Sequence, residues 1–515
     1  MNELPRRKLL EIVAKHGRSI IENPRRLEGL LRDYCGEHRR EISVLVTAVE
    51  EHAVSDMLAA SAGSLPRKVL LARLAQRLCD NLALSEAAAL WSIQSWALAL
   101  GIISEAEIPA GASSLKTEET NAPARTASPA LSSSPKAAAA ITSSASRPAI
   151  SSFIVAANGG GNFRSINEAL RKAPPNSRLL VREGLYVESL ILDKNIEIIG
   201  DGAVERIIIR SPNSSCLLMQ TKKAMVRGLT VQGRGRQNGH AFFAVAIPDG
   251  ELILENCHII SDSLSGVAVF GAGANPLIKN CWIHDCADSG FYIFDNASPR
   301  IENCDVYQNA NVNVAITQGA NPAIKSCRIF DGGNGGVVVW GNGAAGTIEN
   351  CRIYGHRLAN VGVREYANPT FRHCEIYGGR DTGIFVHQNG YGIFEECDIH
   401  RNAGAEVGIS QNANSVFRRC AVHDGENSGV ILQNRGRALI ENCDIYDNRD
   451  SGVAIHSESA ATIKQCNIHG NRKVAVKIKE NSKARVENCD LRGNFLAAWE
   501  TEYGITLEEN NNREY

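Results

Sequence analysis

Four histidines, His284, His400, His423 and His469, each stand three residues after a cysteine. Imidazole titrates near neutral pH, so a strip of such rings could move protons or bind a metal ion. Tyr307, Tyr354, Tyr377, Tyr446 and Phe330 fill the same slot elsewhere. That mixture reads as a ladder of rings stacked on an outer wall, where ligating atoms point in parallel instead of converging. The pattern predicts no metal site, no cofactor and no assignable catalytic residue. A second recurring slot holds Phe270, Phe294, Trp340, Arg364, His387 and Gln433, with Tyr292 and Phe385 two residues ahead of it in their own repeats. Small residues such as Ala268, Ala315, Gly362 and Gly408 interleave with these rings. Outward rings beside Gly and Ala make shallow shelves, and exposed apolar shelves mark binding surfaces. Phe270, Tyr292, Phe294, Trp340, Arg364, Phe385, His387 and Gln433 are therefore the candidate binding face, suited to a sugar chain or a protein segment.

The elements that would position these side chains follow from the cysteines. Eleven of them, Cys257, Cys281, Cys304, Cys327, Cys351, Cys374, Cys397, Cys420, Cys443, Cys466 and Cys489, are spaced by 23 or 24 residues, and Asn precedes six. Around each, apolar and polar residues alternate, as in Cys443-Asp444-Ile445-Tyr446 and Val453-Ala454-Ile455. Period-two segments this short, repeated at constant spacing, must pair with their equivalents in the next repeat. The result is a coil of parallel strands, roughly 13–14 rungs long at about 4.8 Å per rung, with like residues in columns. The cysteines are then an inward stack of free thiols acting as small hydrophobes. No Cys-x-x-Cys pair supports zinc. A Gly column (Gly266, Gly290, Gly336, Gly383, Gly429, Gly452), with Asn313 and Asn360 standing in twice, predicts left-handed turns. Glu406 and Ala475 interrupt it, which predicts distorted turns there. A leucine-rich repeat of similar period would require L-x-x-L-x-L, which is absent.

The stretches "NPTFRHCEIYGGRDTG" (368–383) and "GGRDTGIFVHQNGYGIFEECDIHRNAGAEVGI" (378–409) resemble right-handed parallel β-helix repeats of carbohydrate-binding proteins and sugar hydrolases. They look most like the β-helical region of the F-box-only substrate adaptors. "FIVAANGGGNFRSINEALRKAP" (153–174) with the strands after it looks like the opening of pectin methylesterases, and implies a helical lid on the coil. The active-site motifs of polygalacturonases, pectin methylesterases and mannuronan epimerases are missing, so these resemblances imply no catalytic residues. "NGHA" near His240 is only a fragment of one motif, and the glycines at 159–161 lack the rest of a phosphate loop.

Lys and Arg total 55 against 56 Asp and Glu, which gives no general pull toward nucleic acid or membrane. No apolar run approaches the roughly 18 residues of a membrane span or the length of a signal peptide, and the free thiols suit a reducing compartment, so a cytoplasmic location is expected. Punctuation such as Asn23-Pro24, Ser64-x-Pro66 and Ser85 predicts five or six short helices before residue 105. The expected organisation is an all-α interaction module (1–105), a disordered Ala/Ser/Pro-rich linker (106–150), an all-β right-handed parallel β-helix with a helical cap (151–497), and a C-terminal cap and tail (498–515). The leading functional expectation is a non-catalytic scaffold or adaptor, binding a protein or polysaccharide along the face above while the helical module recruits a protein partner. The alternative is a polysaccharide-modifying enzyme of the lyase, hydrolase or epimerase type. Discriminating the two needs a cluster of acids and bases in space.

Overall fold

The computed structural model describes residues 2–17, 24–50 and 86–104 with scattered positions among the rest of the first hundred, and 151–514 except 212 and 236–240. The linker, the 64–69 start signal, the caps at Asn23 and Ser85, and His240 lie outside the described residues. The chain divides into two compact units, residues 1–149 and 150–515.

The first unit contains helices Glu3–His16, Pro24–Cys35, Arg39–Glu50 and Glu86–Ala99. Asn2 caps the first, its side chain accepting from the Leu4 N–H. Leu9, Leu27, Leu31, Leu45, Ile93 and Trp96 pack into one apolar core. The last helix is pinned by polar contacts as well: the Trp96 indole N–H donates to the Leu45 carbonyl at 2.9 Å, and the Ser92 hydroxyl to that of Val44 at 2.9 Å.

The second unit is a coil of three parallel sheets. A typical turn runs through Thr370–Arg372, Glu375–Tyr377 and Ile384–Val386, one strand for each sheet. The first sheet has 16 strands, the second 13 and the third 14. The coil is thus longer than 13–14 rungs. The extra length comes from the opening strands and from the C-terminal segment, where Ala497–Thr501 pairs with Val474–Ile478 and Thr506–Asn510 with Lys483–Glu487. Residues expected to form a loose tail therefore continue the ladder. The helix Ile166–Lys172 buries Ile166, Ala169 and Leu170 against the core. Ser165 caps it, and the Glu188 carboxylate accepts from the Ile166 and Asn167 N–H groups at 2.9 and 2.7 Å.

Inside, the eleven cysteines form the expected column, and all described cysteines are buried free thiols. Phe371, Phe394 and Phe417 stack beside them at 5.2 and 4.8 Å. The Gly column has a different cause from the one expected. None of its six glycines has positive φ. A Cβ at any of them would lie only 2.3–2.8 Å from atoms of the next rung, so these positions are Gly for want of space. Left-handed backbone occurs one residue before the cysteines instead, at Asn256, Asn280, Asn303, Asn350, Asn442 and Asn488, with φ between 51° and 55°. The rungs at Glu406 and Ala475 keep their register, Val407 pairing with Ile384 and Val430, and Val476 with Val453.

The outer face of the first sheet carries a column that went unread in the sequence. Arg227, Glu255, Lys279, Glu302, Lys325, Glu349, Arg372, Glu395, Arg418, Glu441, Lys464 and Glu487 follow one another in register, alternating in sign without a break. Neighbours pair at 2.8 Å for Arg372–Glu395 and 3.1 Å for Arg418–Glu441. Parallel in-register stacking would otherwise set like charges side by side.

Candidate functional site

The second sheet presents the histidine slot outward, because the residue two before each ring and the ring itself share one face while the Ile or Val between them points in. His284, Tyr307, Phe330, Tyr354, Tyr377, His400, His423, Tyr446 and His469 form an unbroken stack, with centroids 4.5–5.3 Å apart and planes within 15°. The ladder expected from the sequence is present. Among the described residues, no group of three His, Cys, Asp or Glu side chains is arranged to hold a metal.

The stack is not chemically uniform. At three of the nine rings the residue two before is Trp282, Ala421 or Asn467; at the other six it is Asp305, Arg328, Arg352, Glu375, Asp398 or Asp444. These charged groups flank the rings. His423 lies between two carboxylates, Nε2 at 2.9 Å from Asp398 and Nδ1 at 3.1 Å from Asp424. Burial opposes its charge, but the two hydrogen-bonded carboxylates prevail and raise its pKa, while the His423 contact holds the Asp398 carboxyl below its ordinary value. His400 stacks on His423 at 5.0 Å and behaves oppositely, burial pushing its pKa down. Its Nε2 is 3.5 Å from Glu375, and its Nδ1 is buried with no hydrogen-bond partner among the described residues. Two adjacent imidazoles are thus biased apart, one toward the neutral base and one toward the protonated acid. Arg352 reaches over the same face, its Nε at 2.7 Å from Glu375 and its Nη2 donating to the Tyr377 hydroxyl at 3.1 Å. Both halves of the pair were in sight in the sequence. What escaped was the difference between them, which depends on Asp398, 25 residues before His423, lying one rung below it.

The eight residues of the candidate binding face lie on the third sheet or at its end. Phe270 and Phe294 pair in register and stack at 5.0 Å, and Tyr292 lies 4.6 Å from Phe294. Arg364 is 5.6 Å from the centre of the Trp340 ring, and Phe385 stacks on His387 at 4.5 Å. The face is therefore one cluster of three rings and a second run in which Arg364 lies between Trp340 on the rung before and His387 on the rung after, with Gln433 exposed apart from them. Its rings point out of the coil, yet Phe270, Phe294 and Trp340 are only 7, 2 and 8 % exposed. The rings cover one another across rungs, and Phe243, not singled out in the sequence, approaches Tyr292 at 6.4 Å. The open shelves expected from the interleaved Gly and Ala are correspondingly small.

Comparison with known proteins fits this architecture. The sequence model of the family described as "Right handed beta helix region" matches residues 215–356, 334–434 and 420–514. Curated relatives include the putative pectinesterase/pectinesterase inhibitor 45 of Arabidopsis thaliana, 29 % identical over 119 residues, 20 % of each chain. The putative pectinesterase/pectinesterase inhibitor 22 of the same plant is 37 % identical over 89 residues, 16 % of each. The chain spans about a fifth of the length of the first of these relatives. Among solved structures, an A-module of a mannuronan C-5 epimerase from Azotobacter vinelandii is 13 % identical, with a TM-score of 0.40, covering 67 % of this chain and 92 % of that one. A GH87 alpha-1,3-glucanase catalytic domain is also 13 % identical, with a TM-score of 0.41, covering 73 % and 70 %. With three matches that together span residues 215–514, the chain belongs to the right-handed β-helix family.

Proposed function

We propose that the protein modifies an acidic polysaccharide by proton transfer, and that the stacked pair His400–His423 on the second sheet is where it does so. The observation that carries this reading is the pair itself: adjacent imidazoles at 5.0 Å, one bracketed by Asp398 and Asp424 and one left with an unpartnered buried nitrogen. Groups whose surroundings favour opposite protonation states are the natural acid and base of a reaction. His400 would take the proton from the carbon next to a uronate carboxylate. His423 would supply one, either to the opposite face of that carbon or to the departing glycosidic oxygen. Arg328 and Arg352, in the column beside the rings, suit the substrate's carboxylate. The pectinesterase names of the curated relatives support a carbohydrate polymer as the substrate class.

The first expectation, a scaffold without chemistry, is the second reading. It rests on the ring cluster at Phe270, Tyr292 and Phe294 and on the Trp340–Arg364 pair, and is weakened by how little of those rings is open. A role for the helical unit in recruiting a protein partner belongs with that reading, as does the cytoplasmic location that the buried thiols suit. Among the described residues, no helix is long and apolar enough to cross a membrane.

The test is to incubate the full chain with a panel of polyuronates in deuterated water, following deuterium entry into the sugar, unsaturated ends and reducing ends. Deuterium entry or unsaturated ends are expected, with losses of roughly 100-fold or more in His423→Asn and His400→Asn. Turnover that survives both substitutions would remove the pair from the chemistry.

A further inference from the structure

The outer face of the first sheet carries the alternating column described above, in which each base has an acid on an adjacent rung. Lys464 there lies between Glu441 and Glu487, 3.4 Å from the latter. At the other end of the same three strands, Arg437–Glu441, Ala460–Lys464 and Lys483–Glu487, a second outward column runs Arg437, Ala460, Lys483 in register. Two bases flank an alanine at the place where the neighbouring column sets its opposite charge. Among the described residues, neither Arg437 nor Lys483 pairs with a carboxylate. The nearby acids are engaged elsewhere: Glu441 with Arg418 at 3.1 Å, Glu458 with Arg435 at 3.1 Å, and Glu480 with the Ser457 hydroxyl at 2.6 Å.

The missing acid leaves a space. A notch of about 350 Å3 opens here, and its lining holds three cations, Arg437, Lys483 and Arg485, and no carboxylate. Ala460 and Thr462, half-buried on the middle rung, form its floor, while the three cations are exposed. Two rungs separate Arg437 from Lys483, about 9.6 Å at the spacing of neighbouring strands, so both side chains can reach a group seated midway. Thr462 lies in register between Leu439 on one rung and Arg485 on the next. Arg485 is itself held by Glu487 at 2.5 Å, with Glu508 at 4.0 Å, and so makes a braced wall. Leu439 gives the opposite side an apolar edge.

We propose that this notch is a binding subsite for an acidic sugar unit, whose carboxylate sits over Ala460 in the place of the missing acid. Arg437 and Lys483 then gain the counter-charge that every base of the neighbouring column already has, through charge-assisted hydrogen bonds. A carboxylate alone fills a small part of the space, which lies at the lower end of the range for small-molecule sites. A pyranose ring fills the rest, with its C–H face on Leu439 and its hydroxyls toward Thr462. The requirement for an anion follows from the notch itself. The choice of a sugar rests on the reading of the protein as acting on an acidic polysaccharide. The notch lies on a different sheet from His400 and His423, one to three turns beyond that of His423. It holds the polymer and takes no part in the proton transfer.

The experiment is calorimetric titration of the full chain with the tetramer of galacturonic acid. It is run in an Arg328→Gln and Arg352→Gln background, which removes the cations assigned to the substrate carboxylate at the imidazole pair, so that the remaining heat reports on the notch. Adding Arg437→Gln with Lys483→Gln is expected to weaken binding about tenfold or more, as loss of two charge-assisted hydrogen bonds requires. Ala460→Glu should weaken it as much while leaving the melting temperature unchanged or higher, because the new acid completes the alternation between two bases. Arg300→Gln with Arg380→Gln removes the same charge from exposed cations that make no ion pair and should leave the affinity as it was. The neutral tetramer of galactose should not bind. Absence of binding in the background chain, equal weakening by the Arg300 and Arg380 substitutions, or inorganic sulfate binding as tightly as the tetramer would each overturn the proposal. Binding that depends on the notch in a chain without turnover would keep this subsite and remove the imidazole chemistry. Turnover with binding indifferent to the notch would do the reverse.

Discussion

Among the described residues, Glu406 is the one acidic side chain shut completely away from solvent. Burial raises its pKa from an ordinary 4.5 to about 7, against the hydrogen bonds from Asn402. Folding therefore favours the protonated carboxyl. Its contribution to stability is full below the unfolded value and is lost as pH rises through 7, a change of about 3 kcal/mol. Urea unfolding from pH ~5 to ~8 should show stability falling across that window, and Glu406→Gln should flatten the fall. A variant with the wild-type slope would mean the group is ionised at lower pH than its burial implies. Glu406 stood out in the sequence only as an interruption of the Gly column. Its partner Asn402, four residues earlier, stands in a slot five after the cysteine that Asn also fills at Asn309, Asn448, Asn471 and Asn494, a column that went unread because Gly and His interrupt it.

At the scale of the strand and its corner, space is the governing quantity. Gly336 sits where a Cβ would come within 2.4 Å of the Asn360 carbonyl oxygen and 2.7 Å of His356. Gly336→Ala should destabilise the coil by roughly 2 kcal/mol, the cost of overpacking a rigid interior. Gly378, by contrast, has open space around its Cβ direction and a φ of 60°, so Gly378→Ala should cost only backbone strain, about 1 kcal/mol. Thermal unfolding of the two variants side by side checks the contrast; equal losses would mean that the corner relaxes. This is where sequence reasoning reached its limit. Strand order, the inward cysteines and the outward ring ladder were legible because a constant repeat places like residues in columns. The cause of a conserved-looking Gly slot was not, since a left-handed turn and a crowded corner leave the same letter. Covering of the Phe270 and Trp340 rings was likewise hidden, because alternation tells which way a side chain points and not what lies over it.

For the whole coil, two independent columns share one period. The charge column alternates acid and base, rung by rung, from Arg227 to Glu487. From Cys304 to Gly429, acid rungs hold large polar pairs at the inner corner (Asn309/Asn313, His356/Asn360, Asn402/Glu406), and the base rungs between them hold glycine pairs (Gly332/Gly336, Gly379/Gly383, Gly425/Gly429). The structural unit there is two rungs, although the cysteines mark each one. Deleting residues 374–396 removes one rung and would set Arg372 beside Arg418, with the pairs at His356 and Asn402 on adjacent rungs. Deleting 374–419 removes two and would restore Arg372 beside Glu441, with Gly425 following His356. The shorter deletion is expected to lose at least ~2 kcal/mol more stability than the longer one. Calorimetric melting of both decides it, and a more stable single-rung deletion would refute the paired unit. Repeats of this kind multiply in genomes by tandem duplication of their coding segments. Within this stretch, a copying event that inserts one turn meets both a Coulombic and a steric mismatch, while one that inserts a doublet meets neither. Descendants of the chain should accordingly differ in length here by even numbers of turns.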